Sequence, residues 1–410
     1  MDEIWGIHGK QATALQDEWA EYCGARYCQA VSTGTAAVRC AVVAARVQPG
    51  DEVILPAFGY VASGQAVLLS GAKPVFCDIN PATFTLDVEK LIPLITGRTR
   101  AIMPVYVHGL VCDTAAVTAV AETHGLAVIP DAAQAAGATD GGRRAGTGAF
   151  GICTAFSLNG QKPFQAGEGG LVTTDDPETL TAVALFASLG EARPRALRPG
   201  EVRESWARWA GDQLRLDEIK AALARSQLKR LDEYLARARQ NAGLLATGLS
   251  EIPGFAPPDI PEDSESSHYR LRVRLNPEPY GWEDKPEEFR DRVLYALQLE
   301  GVAVDTWQLK PLPAHPVFRR SDFTPWSPGI ADGPLRPWCP EKYPVASALL
   351  SSSITIGAHP YPLHVQPPEV MRLFLRAFAK VAKHMAIVLR ADYEPVRPAP
   401  PIPATDLRST

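Results

Sequence analysis

From residue 30 to about residue 190 the chain alternates short apolar runs with helix-like stretches, and this alternation restricts the fold more than any other feature. The runs are Asp51–Pro56, Pro74–Ile79, Arg100–Val107, Leu126–Pro130, Ile152–Leu158 and Gly170–Thr174; Thr35–Arg46, Tyr60–Leu69 and Asp113–His124 read as helices between them. Short buried strands joined by crossover helices pair side by side in parallel. The expectation is an α/β fold with a mostly parallel sheet wrapped by helices. Such sheets bind ligands in the crevice beyond the carboxyl ends of their strands. Residues just past those runs are therefore the first candidates for chemistry.

Lys162 is one of them. The run Ile152 to Leu158 delivers a hydroxyl at Ser157, Lys162 follows five residues later, and Gly167-Glu168-Gly169-Gly170 turns the chain into the next strand. A lysine set between a buried strand and a glycine turn is placed to lose its proton and act as a nucleophile. Thirty-one residues upstream, the run Leu126–Pro130 ends in Asp131, with Gln134 three residues on. Alone, that spacing fits a helix capping box as well as a ligand site. A buried aspartate paired with a Schiff-base lysine is the chemistry of pyridoxal 5'-phosphate, in which the acid keeps the pyridine nitrogen protonated.

A third group lies near the N-terminus. Val31-Ser-Thr-Gly-Thr-Ala-Ala-Val38 opens a small-residue helix, and free N–H groups at a helix start favour a phosphate, though such clusters also serve as ordinary caps. Tyr60 falls just past the Asp51–Pro56 run. Its ring can stack on a planar ligand or pack with Phe58 in the core.

These pieces, in this order, resemble the DegT/DnrJ/StrS sugar and aminocyclitol aminotransferases. The matching segments are Ser32-Thr-Gly-Thr-Ala-Ala37, Gly50-Asp-Glu-Val-Ile-Leu-Pro-Ala-Phe-Gly-Tyr60, Pro74-Val-Phe-Cys-Asp-Ile79, Pro130-Asp-Ala-Ala-Gln-Ala135 and the block around Lys162. The resemblance continues to Lys380. It implies the fold type I of pyridoxal-phosphate-dependent transferases: a large domain with a mostly parallel seven-stranded sheet, plus a smaller C-terminal α/β domain. It also implies that Lys162 carries the cofactor and Asp131 meets the pyridinium. Gln134 would contact the ring or its hydroxyl and Tyr60 would stack, while Ser157, Gly34 and Thr35 would hold the phosphate. Gly211-Asp-Gln-Leu-Arg-Leu-Asp-Glu-Ile-Lys-Ala-Ala-Leu223 is similar to a family loop that reaches into the partner subunit of a homodimer with shared active sites. Gln213 stands there for the family's asparagine as a cofactor contact, and Arg215 would hold the amino donor's carboxylate. Pro313-Ala-His315-Pro-Val-Phe318 resembles a motif near the relatives' active sites, which makes His315 a substrate-binding candidate, although a loop histidine also serves structure alone.

The implied reaction moves an amino group from glutamate or glutamine to a keto-cyclitol or keto-sugar in antibiotic and related secondary metabolism. Asn159-Gly160-Gln161 replaces the wording usual in sugar enzymes and is more similar to the aminocyclitol and amino-hydroxybenzoate branch. An aromatising enzyme of the amino-hydroxybenzoate synthase type and a non-catalytic cofactor-binding regulator are the alternatives. A lysine at position 162, where dehydratase relatives have histidine, disfavours the dehydratases.

Composition sets limits. A chain of 410 residues, 46% hydrophobic, can bury a large core. The periodicity places a large domain at 1–249, including a long amphipathic pattern from Leu216 to Leu249, a small domain at 250–392 and a disordered proline-rich tail at 393–410. Within the small domain, His268–Leu275 alternates like a half-buried strand, while Pro286–Glu300 and Glu369–Ala386 read as helices. Arg193 to Ala210, rich in arginine and proline, reads as a mobile loop whose arginines can meet a nucleotide diphosphate or only solvent. A net charge of −5 gives no reason to expect nucleic acid or an anionic membrane as partner. Seven cysteines without a Cys-x-x-Cys pair fit reduced thiols in a cytoplasmic enzyme and give no metal site. Neither a leader nor an 18-residue apolar run is present.

Overall fold

The computed structural model describes residues 9–192, 206–207, 209–320 and 335–395. Most of the expected loop at 193–210, the middle of the proline-rich stretch and the tail beyond residue 395 lie outside the described residues.

Seven strands build the large sheet: β1 (Tyr27–Val31), β2 (Glu52–Pro56), β3 (Lys73–Cys77), β4 (Thr99–Ile102), β5 (Ala127–Val128), β6 (Thr154–Ser157) and β7 (Gly170–Thr174). The pairs β3–β2, β2–β4 and β4–β5 are parallel. Bridges from Val105 to Asp131 and from Asp131 to Ala155, also parallel, carry the sheet on to β6. Strand β7 then pairs antiparallel with both β6 and β1. The order is β3–β2–β4–β5–β6–β7–β1 with β7 alone reversed, because the glycine turn after Lys162 makes β6 and β7 a hairpin. The mostly parallel seven-stranded sheet is thus present, with Asp131 itself as a join.

Helices α1 (Lys10–Cys23), α2 (Gly34–Ala44), α3 (Val61–Leu69), α4 (Thr114–His124) and α5 (Pro177–Phe186) cover this sheet. Strand β2 is buried at every position, as expected of a central strand covered on both faces. The amphipathic run from Leu216 resolves into two helices, α6 (Glu218–Leu228) and α7 (Leu231–Ser250). Asp217 caps α6 by accepting the Lys220 N–H, and Lys229 and Arg230 form a turn between α6 and α7 while staying in the right-handed helical region, so periodicity runs through a break it cannot register.

The C-terminal sheet is antiparallel, in the order β8 (Phe255–Ala256), β9 (Leu271–Leu275), β11 (Ser353–Ile356) and β10 (Val304–Asp305). Helices α8 (Pro286–Leu299) and α9 (Pro368–Lys383) pack on it. Strand β9 starts three residues later than its alternation implies, because His268 takes a positive φ of 46°. Leu231 and Leu235 of α7 join the core under the large sheet, whereas Ala238 to Leu249 join the C-terminal core. That helix therefore fixes one sheet relative to the other, and the cavity described next lies where both contribute side chains.

Candidate active site

Every phosphate-end candidate converges on one point. Thr33 is the N-cap of α2, its hydroxyl accepting the Ala36 N–H at 3.0 Å. Gly34 follows so close to β6 that a Cβ there would stand 2.5 Å from the Ser157 Cβ. Only glycine lets the opening of α2 approach the end of that strand. Free N–H groups and the hydroxyls of Thr35 and Ser157 border the space, which suits a phosphate.

Asp131 is 5% exposed. Ser63 Oγ donates to one of its oxygens at 2.6 Å and the Ala133 N–H to the other at 3.0 Å. No helix follows it, so the capping-box reading is not realised. Burial pushes its carboxyl up from the usual 3.8, against the opposing pull of Ser63, Ala133 and the Lys162 charge. A cation brought to this acid would be held strongly.

Lys162 follows a tight turn in which Gly160 N–H bonds the Gly167 carbonyl at 2.8 Å and the Lys162 N–H bonds the Asn159 carbonyl at 2.9 Å. Its ammonium lies 4.3 Å from the centre of the Tyr269 ring. Burial lowers its pKa from 10.5 to about 8, with Asp131 pulling it up and Arg270 adding to the depression. A fraction of the amine is thus neutral near pH 7, as a nucleophile requires. The loop is braced from below, where Phe164 stacks on the buried Trp19 at 4.6 Å.

Gln134 Oε1 accepts the His108 backbone N–H at 2.8 Å, which leaves its amide nitrogen as the group offered to the cavity. His108 takes φ 57° and is held neutral, its pKa pushed far down by burial and then by Arg272, Arg270 and Lys162.

A cavity of about 410 Å³ joins these groups: Thr33, Gly34, Thr35, Tyr60, Asp131, Gln134, Ser157 and Lys162 all line it. Tyr60 stands at its mouth, 55% exposed, while Phe58 alone is the core ring. Gln213, Arg215 and His315 are not in its lining. Gln213 is exposed beside Ser188, Arg215 bridges Val31 through its backbone, and His315 sits against Phe318. Residues not singled out from sequence also enter: Ser63, Tyr269, Trp307 and Glu168. Ser63 lies in α3 without a motif. Tyr269 and Trp307 come from the C-terminal part, where spacing to Lys162 carries no signal.

The buried acid, the depressed lysine and the glycine-cradled helix start fit pyridoxal 5'-phosphate, and the sequence model of the DegT/DnrJ/EryC1/StrS aminotransferase family matches residues 1–327. The chain belongs to that family. Pyridoxal 5'-phosphate is the cofactor of this family. GDP-perosamine synthase of Caulobacter vibrioides is 40% identical over 253 residues, 62% of this chain and 66% of that protein. L-glutamine:scyllo-inosose aminotransferase of Streptomyces griseus is 40% identical over 259 residues, 63% of this chain and 61% of that protein. The chain thus spans just under two thirds of the length of these two relatives. Among solved structures, 3-amino-5-hydroxybenzoic acid synthase superposes with a TM-score of 0.78 at 28% identity, covering 93% of this chain and 92% of that one. A nucleotide-sugar enzyme and a cyclitol enzyme are equally similar, so overall identity does not choose between acceptors.

Proposed function

We propose that the protein transfers an amino group from L-glutamine or L-glutamate to the ketone of a cyclitol or sugar in secondary metabolism. The observation that carries this is Lys162, a lysine with its pKa lowered to about 8, sharing one cavity with the buried Asp131. When bound, pyridoxal 5'-phosphate supplies an aldehyde that accepts the donor nitrogen and a ring that takes up carbanion electrons.

The protein's own groups do the rest. Lys162 would hold the cofactor, and its Nζ, once freed by the donor, would carry the proton taken from the donor's α-carbon. Asp131, its carboxylate oriented by Ser63, would keep the pyridine nitrogen protonated. The Gln134 amide would meet the ring hydroxyl, Tyr60 would cover the ring, and Thr35, Ser157 and the N–H groups around Gly34 would hold the phosphate. In the second half-reaction the same lysine would move the proton in the opposite direction.

Gln213 and Arg215 lie outside their own chain's cavity, and exposed apolar side chains stand near them: Trp209, Ile219 (84% exposed) and Leu223. This favours a homodimer in which the segment completes the partner's site. Seven free cysteines suit a reducing cytoplasm. Asn159-Gly160-Gln161 at the cavity rim favours a keto-cyclitol as acceptor. The test is to titrate cofactor-loaded protein with L-glutamine, L-glutamate and L-alanine and follow the cofactor's absorbance. At least one of the first two should bleach it; no change with any of the three would reject the proposal.

A further inference from the structure

Arg272 of β9 is a buried cation with no carboxylate in hydrogen-bonding contact among the described residues. It is 1% exposed, and each of its three nitrogens donates to a neutral acceptor. Nε meets His108 Nε2 at 3.1 Å, while Nη1 meets the Ser353 hydroxyl and Nη2 the Trp307 carbonyl, both at 2.7 Å. Asp305 acts on it only at longer range. Arg290, in the same C-terminal part, takes the carboxylate of Asp291 instead. A charge buried among neutral groups is costly, and an apolar side chain of similar volume would serve packing alone at lower cost. What Arg272 holds in place therefore matters.

It holds the His108 ring. That ring packs edge-on against Phe58 and Trp307, with centroids 5.6 and 5.1 Å away. A guanidinium only donates, so Nε2 accepts and the ring proton stands on Nδ1, which is buried without a partner. Arg272 is thus the ring's one hydrogen bond among the described residues. The His108 backbone, at φ 57°, occupies a region unfavourable to a residue with a side chain. The N–H of this strained residue is the one that Gln134 Oε1 accepts at 2.8 Å, and Gln134 lines the cavity. The carbonyls of the turn are already gripped: His108 accepts the Tyr269 N–H at 3.1 Å and Gly109 the Ser267 N–H at 2.9 Å. The tethered ring is the remaining contact that keeps the strained N–H aimed at Gln134. We infer that Arg272 is a positioning residue, which acts through the His108 ring to fix the N–H that turns the Gln134 amide toward the cofactor's ring hydroxyl. This role rests on the Gln134 contact proposed above and adds what holds that contact in place.

The experiment uses holoprotein and reads the pH midpoint of the bound cofactor's visible absorbance, which needs no turnover. Losing one hydrogen bond to the ring hydroxyl should move that midpoint by about half a pH unit or more. Gln134→Ala should show this shift and Arg272→Met a shift of the same sign. The double variant should go no further than Gln134→Ala alone, because the arginine acts through the glutamine. Arg290→Met is the control for a merely structural loss: it should lower the urea midpoint and leave the absorbance midpoint unmoved. An unmoved absorbance midpoint in Arg272→Met, an additive double variant, or an equal shift in Arg290→Met would overturn this role. Should Arg272→Met not fold, His108→Phe decides. It keeps the ring packing, removes Nε2 and should reproduce the Gln134→Ala shift, so a wild-type midpoint there would equally refute the tether. An unshifted Gln134→Ala would reject the Gln134 contact itself, whereas a shift in Gln134→Ala with none in Arg272→Met would reject only the part given to Arg272.

Discussion

At the residue scale, the chemistry rests on charges held where water is scarce. Lys162 is pushed to about 8 chiefly by burial, with Asp131 opposing. Its pKa when folded lies below the unfolded value of 10.5, so between those two pH values the unfolded chain binds the extra proton and stability of the cofactor-free protein rises with pH. Capture of the cofactor needs the neutral amine. The rate of cofactor loading onto cofactor-free protein, followed by absorbance, should therefore climb as pH rises through about 8 and level off above it. A profile that keeps climbing toward pH 10.5 would show an unperturbed lysine. Lys162 and Asp131 were legible in the sequence because each follows a short apolar run, and a strand end is where a parallel sheet presents ligand groups. Ser63 was not. Its bond to Asp131 joins α3 to a strand end 68 positions away, and nothing local to a serine in a helix reports that.

At the element scale, the sheet was legible because its strands are short apolar runs with helical stretches between. Strand β1 and helix α1 escaped because Cys28-Gln29-Ala30 lacks the β-branched residues that mark a strand and because α1 precedes the alternation. Yet α1 supports the site. Trp19, fully buried, stacks on Tyr22 and Phe164 and meets Phe156 edge-on at 5.1 Å, placing one side chain under both β6 and the Lys162 loop. Trp19→Ala should cost about 3–5 kcal/mol of stability. A lower urea midpoint, together with faster proteolysis within residues 159–168, would check it. A loop as protected as in the wild type would mean that Trp19 does not brace it.

At the scale of the whole molecule, the C-terminal part is latched to the large sheet beside the residues proposed to bind the cofactor. Ser267 donates to the Gln134 carbonyl at 2.8 Å, and Arg239 of α7 donates to the carbonyls of Gly137 and Ser266. These contacts bring Tyr269 over Lys162. No sequence pattern announces such pairings, because each is a single polar contact between segments 27 to 133 positions apart. The segment 213–223 was legible as a family loop, but where its side chains act was not, since a single chain leaves Gln213 outside its own cavity. The proposed homodimer makes a direct prediction. Ile219→Glu, on the exposed face of α6, should shift the protein from dimer to monomer in sedimentation and lower amino transfer with it. A dimer that survives this change would place the interface elsewhere.

The proposed reaction depends most directly on Lys162 as the group that first holds the cofactor and then moves the proton. The decisive measurement is a single turnover of cofactor-loaded protein with L-glutamine, counting the aminated cofactor and the 2-oxo acid formed per site, in the wild type and in Lys162→Ala. The wild type should form close to one of each per site, and the variant none on the same timescale. Equal product from the variant would contradict the account.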